Sequence, residues 1–266
     1  MMKLEILYED DDVIVIHKPA GVASESARST SPDVVSMVRN HLITQARKEG
    51  EKLDGPPFVG LVHRLDQPVE GILVLGKNSK ATAILSKELS DHAFTKKYYA
   101  LVEDASFMEG AIASDSGLDS MKEKMVVLED YLEKDNKTRL AKIVPKGQGK
   151  KARLTCIKIR EDNYVCGGED AVAKKDACCI DDKNLLDIAL ETGRFHQIRI
   201  QLSSRGAAIV GDVKYGAKPD DRFKRGQIAL CAYELSFTHP KTKERMSFHI
   251  QPQWACKAIK KTEKSK

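Results

Sequence analysis

Short aliphatic runs bounded by glycine, proline or acidic residues recur along the chain and constrain its fold more than any other feature. The clearest run covers residues 72–75, between Gly71 and Gly76. An apolar run of this length between chain breakers is typical of a buried strand. The same pattern predicts strands at residues 4–7, 13–17, 94–102, 125–132, 140–144, 154–159, 185–190, 228–237 and 245–250. Many short strands with few helices indicate an α+β fold, with a mixed, largely antiparallel central sheet and flanking helices.

Helical spacing is confined to a few segments. Val34, Val38 and Leu42 follow it, and Gly50 ends that element. Ser79 is a favourable N-cap for a second helix. The predicted helices cover residues 33–50, 80–92 and 194–202.

Length and charge set the broad class. The 266 residues suit one large domain or two small ones. We expect a single catalytic domain over residues 1–254 and a basic C-terminal tail over residues 255–266. The net charge of +5 permits nucleic-acid binding without requiring it. Basic clusters lie at residues 96–97, 146–153 and 218–225 and in the tail.

Several classes of protein have no support in the sequence. No apolar run approaches the roughly 20 residues that span a bilayer, and the N-terminus turns acidic too early for a signal peptide. We therefore expect a cytoplasmic protein with no membrane contact. The six cysteines include no Cys-x-x-Cys pair, and no glycine-rich phosphate loop occurs. No metal site and no phosphate-binding enzyme are therefore expected.

The residues just before the strand at 72–75 include a candidate catalytic carboxylate. Pro68 and Gly71 break the chain there, so Asp66 should lie on a rigid loop that leads into a core strand. Functional side chains are often held in this way. By local chemistry alone, however, an Asp beside a turn more often caps that turn.

Four segments together resemble one family. His63-Arg64-Leu65-Asp66, followed by Gly71 and the aliphatic strand, resembles the signature of RluA-type pseudouridine synthases. In the same order, the other motifs of that family resemble residues 8–21, residues 96–102 and residues 193–199. The match extends over roughly residues 8–252, and the chain is identified as a member of that family with the pseudouridine synthase fold.

The resemblance implies an RNA-modifying isomerase that works without a cofactor. Such enzymes break the glycosidic bond of a uridine, turn the base and rejoin it through carbon. By resemblance, Asp66 is the catalytic carboxylate and Arg199 is its partner. Tyr98 stacks on the base and is also a candidate for the later removal of a proton from carbon. Asp66 either attacks the anomeric carbon or abstracts a sugar proton, and the sequence leaves both routes open.

The resemblance also implies how the RNA is held. The target uridine must be flipped out of its stack, and Arg64 would fill the vacated space with its planar guanidinium. The other substrate-binding candidates are His63, Lys97, Arg194 and His196. For His196 the alternative is a structural histidine; for Lys18, packing or solvation is favoured over a phosphate contact.

The predicted partner is a structured ribosomal or transfer RNA, bound by a monomer in a basic cleft across the middle of the sheet. The alternative is a non-catalytic RNA-binding or ribosome-assembly factor on the same fold. The presence of Asp66, Tyr98 and Arg199 favours the enzyme. We expect no extra N-terminal RNA-binding module, so recognition would come from the catalytic core.

Two departures from the family pattern bear on substrate choice. Val69-Glu70 replaces the usual Thr-Ser, and Phe195 replaces the usual Thr. We expect Glu70 to bring a negative charge near the path of the RNA. Residues 105–183 carry predicted strands but no chemistry that we can assign, and residues 167–182 are expected to be a hairpin tip or insertion.

Overall fold

A computed structural model describes residues 4–26, 32–109, 125–159, 184–224 and 226–254. It contains a mixed, mostly antiparallel sheet with a few helices, so the predicted α+β class is confirmed. The chain divides into two compact units, Met1–Thr95 with Glu234–Ile250, and Lys96–Tyr233 with Gln251–Lys266. The assignment of residues 1–254 to a single catalytic domain stays a prediction. The tail at 255–266 and the proposed insertion at 167–182 lie outside the described residues.

The elements follow one another in chain order. The strands are β1 (Glu5–Glu9), β2 (Val13–Lys18), β3 (Gly60–Leu61), β4 (Glu70–Gly76), β5 (Thr95–Leu101), β6 (Met125–Asp135), β7 (Leu140–Val144), β8 (Lys150–Lys158), β9 (Leu185–Leu190), β10 (Leu230–Thr238) and β11 (Arg245–His249). The helices are α1 (Val34–Glu49), α2 (Ser79–Ser90) and α3 (Gln197–Ser203). Short 3-10 turns cover Ser106–Met108 and Val213–Tyr215.

The first unit is built on β2 and β4, every residue of which is buried. They pair antiparallel, with Val15 opposite Val74 and Lys18 opposite Gly71. β1 pairs with the other edge of β2, β3 pairs with β4, and β11 pairs with β10. Strands that are covered on both faces are nearly continuous in apolar residues. This is why β2 and β4 could be predicted from the sequence.

Capping defines both helices of the first unit. Asp33 accepts a hydrogen bond from the Ser36 backbone N–H, and the Ser36 hydroxyl accepts one from the Asp33 N–H, which completes a capping box. Gly50 ends α1 at φ 75°, a left-handed conformation that favours glycine. The second helix is capped by Asn78, not by the predicted Ser79, because the Asn78 side chain accepts from the Ala81 N–H at 2.8 Å.

The second unit is an antiparallel array in the order β5-β9-β8-β6-β7. Burial alternates along β8, where Ala152, Leu154 and Cys156 point into the core. This period of two is expected for a strand with one solvated face. The predicted bounds of β7 and β9 are confirmed, whereas β8 begins four residues earlier than predicted.

The third helix is shorter than predicted and begins at Gln197 instead of residue 194. His196 lies in the left-handed region at φ 51°, so it cannot be a helical residue. The Gln197 side chain explains the turn, because its Oε1 accepts from the Arg194 N–H at 3.0 Å and from the Thr192 hydroxyl at 2.8 Å. The prediction that His196 and Arg199 share one helix is therefore wrong.

Candidate active site

Asp66 opens a tight turn just before β4. The Val69 N–H donates to the Asp66 carbonyl at 3.0 Å, which closes the turn. Its next residue, Gln67, is held at both ends: its carbonyl accepts from the Gly21 N–H at 2.7 Å, and its side-chain amide donates to the Gly21 carbonyl at 3.1 Å. The loop after β2 therefore fixes the backbone on which Asp66 lies.

Lys18 connects the loop that follows β2 with the loop that carries Asp66. Its side chain is fully buried, and its ammonium donates to the carbonyls of Val22 at 2.7 Å, Pro19 at 3.0 Å and Gln67 at 3.4 Å. Burial lowers the pKa of Lys18 to about 7, while the carboxylates of Asp66 and Glu70 act in the opposite direction. Solvation and a phosphate contact are both excluded by its burial, so packing is the correct interpretation.

Ser24 holds Leu65, the residue that precedes Asp66. Its hydroxyl donates to the Leu65 carbonyl at 2.8 Å and accepts from the Leu65 N–H at 3.1 Å, both in buried surroundings. Asp66 itself is partly exposed, between the buried Leu65 and the exposed Gln67. Loop 63–69 is therefore a rigid support that presents one partly exposed carboxylate.

The two residues that open the motif lie in different surroundings. Arg64 is exposed, as a side chain that inserts into RNA requires. His63 is partly buried; the Val74 N–H donates to its Nε2 at 3.4 Å, and Phe94 lies edge-on to its ring. These contacts show that His63 packs within the first unit. Its part in substrate binding stays a prediction.

Glu70 is the first residue of β4 and only 2% exposed, so its charge is buried in the unit. The reason is that the strand begins directly after the turn at 66–69. Within the unit this charge acts on Lys18. The expectation that the charge of Glu70 lies near the path of the RNA stays a prediction.

In the second unit, Arg199 forms a buried bidentate ion pair with Asp212. Its Nε donates to Asp212 Oδ2 at 2.7 Å and its Nη2 to Oδ1 at 2.8 Å, with the side chains 3% and 2% exposed. The guanidinium carbon also lies 4.8 Å from the centre of the Tyr215 ring. Because Nε and Nη2 both donate to Asp212, the ion pair fixes the orientation of the guanidinium plane.

Tyr215 links this pair to His196. The Ala141 N–H donates to the Tyr215 hydroxyl at 2.8 Å, and the same oxygen lies 2.8 Å from His196 Nδ1. Burial, followed by the positive charge of Arg199, lowers the pKa of His196 to about 3. Either tautomer of the neutral imidazole can form this hydrogen bond, so His196 has a structural role in addition to the predicted substrate contact.

Tyr98 and its neighbour face different surroundings on β5. Tyr98 is 7% exposed and lies opposite Ile188. Tyr99 stacks on Tyr233 with ring centres 3.7 Å apart, and the Tyr233 hydroxyl donates to Asp187 at 3.0 Å. Tyr99 is thus held in a packing cluster, while Tyr98 shares its face of the strand with Lys96.

The basic candidates Arg194 and Lys97 also lie in different surroundings. Arg194 donates from Nε to the Lys151 carbonyl at 2.9 Å and stays exposed. Lys97 lies on the face of β5 that Tyr99 shares, opposite Tyr98. Lys96 is the first residue of the motif at 96–102 but was not among the predicted substrate-binding residues. It is the lysine on which the charge of Arg194 acts.

The structure therefore assembles two clusters, one within each unit. Lys18, Asp66 and Glu70 interact in the first, and Arg199, Asp212, Tyr215 and His196 in the second. Sequence reasoning missed the roles of Ser24 and Asp212. For Asp212 the available signal was the pair Gly211-Asp212, which continues the family resemblance beyond the motif at 193–199.

Two further observations concern metals and membranes. Among the described residues, His, Cys, Asp and Glu side chains form no cluster of three or more that could hold a metal. Within the same ranges, no helix is long and apolar enough to cross a membrane.

Comparison with known proteins decides the family. The model of the RNA pseudouridylate synthase family matches residues 12–204, well over half of the chain. The chain belongs to the RNA pseudouridylate synthase family. The synthase therefore isomerises uridine in RNA; the predicted enzyme is confirmed, and nothing supports the non-catalytic alternative.

Individual relatives agree with this assignment. The synthase is 26% identical over 255 residues to ribosomal large subunit pseudouridine synthase D of Zymomonas mobilis subsp. mobilis, covering 93% of this chain and 69% of the relative. It is 32% identical over 261 residues to an uncharacterized RNA pseudouridine synthase, YjbO, of Bacillus subtilis, covering 97% and 76%. The solved human RNA pseudouridylate synthase domain containing 4 shares the fold, with a TM-score of 0.61, 17% identity and coverage of 97% and 93%.

Proposed function

We propose that the synthase uses Asp66 as its catalytic carboxylate on a uridine in structured RNA. The observation that carries this proposal is the support of the Asp66 loop. Gly21, Ser24 and Lys18 each hydrogen-bond to a residue directly beside Asp66. A catalytic group must be held in a productive geometry before the substrate arrives, and a loop secured at both neighbours meets that need.

Arg199 and Tyr98 complete the proposed catalytic set. Arg199 stays charged at all working pH values, and Asp212 holds its plane. Arg199 is kept in the proposed set because of its position in the motif at 193–199, and its guanidinium is oriented in advance by the ion pair with Asp212. Tyr98 would stack on the flipped base, since an aromatic ring provides a sequence-tolerant stacking surface.

The substrate-binding set is proposed to act on the RNA around the flipped nucleotide. The exposed Arg64 would fill the gap in the base stack, and the remaining contacts would come from His63, Lys97, Arg194 and His196. The ribosomal large subunit function in the name of the Zymomonas relative supports ribosomal RNA over transfer RNA as the substrate. The monomeric state, the cytoplasmic location and the central basic cleft stay predictions.

The decisive experiment is Asp66→Asn. The side chain keeps its shape but loses its charge, so pseudouridine formation should fall below detection while RNA affinity stays close to that of the wild type. Turnover is measured by mass spectrometry of nucleosides from treated RNA, and affinity by filter binding. Asp11→Asn is the matched control, because Asp11 is exposed on the turn between β1 and β2. Residual turnover by Asp66→Asn would remove Asp66 from the mechanism.

The substrate itself can be identified in cells. Pseudouridines are mapped in RNA from cells with and without the gene. Loss of a position in large-subunit ribosomal RNA supports the proposed substrate, whereas loss confined to transfer RNA would refute it.

A further inference from the structure

Lys96 and Arg194 hold two positive charges close together in the second unit. Lys96 is partly buried on β5, and a Cβ atom added to Gly193 would lie 3.8 Å from its ammonium nitrogen. Burial, followed by the positive charge of Arg194, lowers the pKa of Lys96. The turn at residues 193–194 therefore lies against the lysine head group.

Neither charge is neutralised within the described ranges of the chain. No carboxylate there lies within 4.0 Å of a Lys96 or Arg194 nitrogen. Two basic residues of β8 are paired by contrast: Lys151 with Glu129 at 3.0 Å and Arg153 with Glu191 at 3.0 Å. Lys96 is partly buried and Arg194 is exposed. Charges that are taken out of water are normally paired, so the partly buried ammonium of Lys96, with a second cation beside it, favours an anion from outside the chain.

Arg194 is also oriented in advance. Its backbone N–H is held by Gln197 and its Nε by the Lys151 carbonyl. Its two Nη groups donate no hydrogen bond to any described residue. An arginine fixed at Nε with its outer edge available is suited to the oxygens of a phosphate.

Lys96 and Tyr98 share one face of β5, two residues apart. Their separation along the strand is therefore about 7 Å, which one nucleotide can bridge. Lys97 lies on the other face of β5, so of these two lysines only Lys96 shares a face with Tyr98.

We propose that Lys96 and Arg194 form a binding site for a backbone phosphate of the RNA, next to the nucleotide that Tyr98 receives. This inference rests on the proposed function, because it takes RNA to be the ligand. The phosphate neutralises both cations, and the contact sets the register of the target uridine without reading its sequence.

The test removes the charge and keeps the length of the side chain. Lys96→Met and the wild type are compared for binding to an RNA hairpin with an all-uridine loop, over a series of salt concentrations. The variant should bind about tenfold more weakly at low salt, as expected for a lost charge-assisted hydrogen bond. The slope of log affinity against log salt should also fall by about 0.7, the contribution of one phosphate contact to a single strand.

Two controls exclude trivial explanations. Lys87→Met removes an exposed lysine from α2 and should leave both affinity and slope unchanged. Lys96→Arg restores the charge and should recover the slope, which a merely structural role of Lys96 would not predict. A neutral methylphosphonate beside the loop uridine should weaken binding of the wild type but not of Lys96→Met.

The outcomes separate this site from the overall function. An unchanged slope and affinity in Lys96→Met would overturn the phosphate site while leaving the RNA reaction and Asp66 untouched. Failure of the wild type to bind the hairpin would count against RNA as the ligand, and would overturn the site together with the proposed function.

Discussion

Replacement of Asp212 by Asn should destabilise the protein far more than the loss of an ordinary surface ion pair. The change leaves Arg199 with 3% exposure and no anionic partner at its Nε–Nη2 edge, where two hydrogen bonds of 2.7 and 2.8 Å are now made. Breaking a buried pair from one side costs about 3–5 kcal/mol of unfolding free energy. At about 2–4 °C per kcal/mol, this loss lowers the melting temperature by roughly 6–20 °C.

The assay is urea-induced unfolding followed by far-ultraviolet circular dichroism, with Glu133→Gln as the control. Glu133 pairs with Lys142 at 3.2 Å, but both side chains are about half exposed. Such pairs contribute about 0–1 kcal/mol, so the control should unfold close to the wild type. A loss in Asp212→Asn no larger than that of the control would refute the idea that Arg199 depends on Asp212.

Two further predictions concern pH. The folded-state pKa of Lys18 is about 7, below the ordinary value of about 10.4, so between these values the unfolded chain holds a proton that the folded chain lacks. Stability therefore rises with pH through this window, and Lys18→Met should abolish that rise in unfolding free energies; an equal rise in the variant would contradict the assignment. The folded-state pKa of His196 is about 3, against about 6.5 ordinarily, so stability should fall as the pH drops from the upper value to the lower. His196→Asn, which tolerates the left-handed backbone, should flatten this fall in acid titrations, and an unchanged profile would show that His196 does not cause it.

Local periodicity and chain breakers were sufficient to predict most elements of this protein. The strands at 140–144 and 185–190 have the predicted bounds, because alternation and aliphatic content are properties of neighbouring residues. Gly50 marks the end of α1 for the same local reason. The candidates Asp66, Tyr98 and Arg199 came from resemblance to a family, since local chemistry alone favoured a turn-capping role for Asp66.

Contacts between distant segments decided what the local pattern could not. Whether Lys18 is solvated or buried depends on Gln67, 49 residues away, and the orientation of Arg199 depends on Asp212, 13 residues further on. The burial of Glu70 is created by packing around β4, which no neighbouring residue encodes. Lys96 differs from Lys97 only in which face of β5 it occupies and in its proximity to Arg194. The sequence by itself determined where strands and helices form, because that depends on neighbours; the tertiary structure decided which charges are buried, paired or left for a ligand, because those energies depend on residues that only folding brings together.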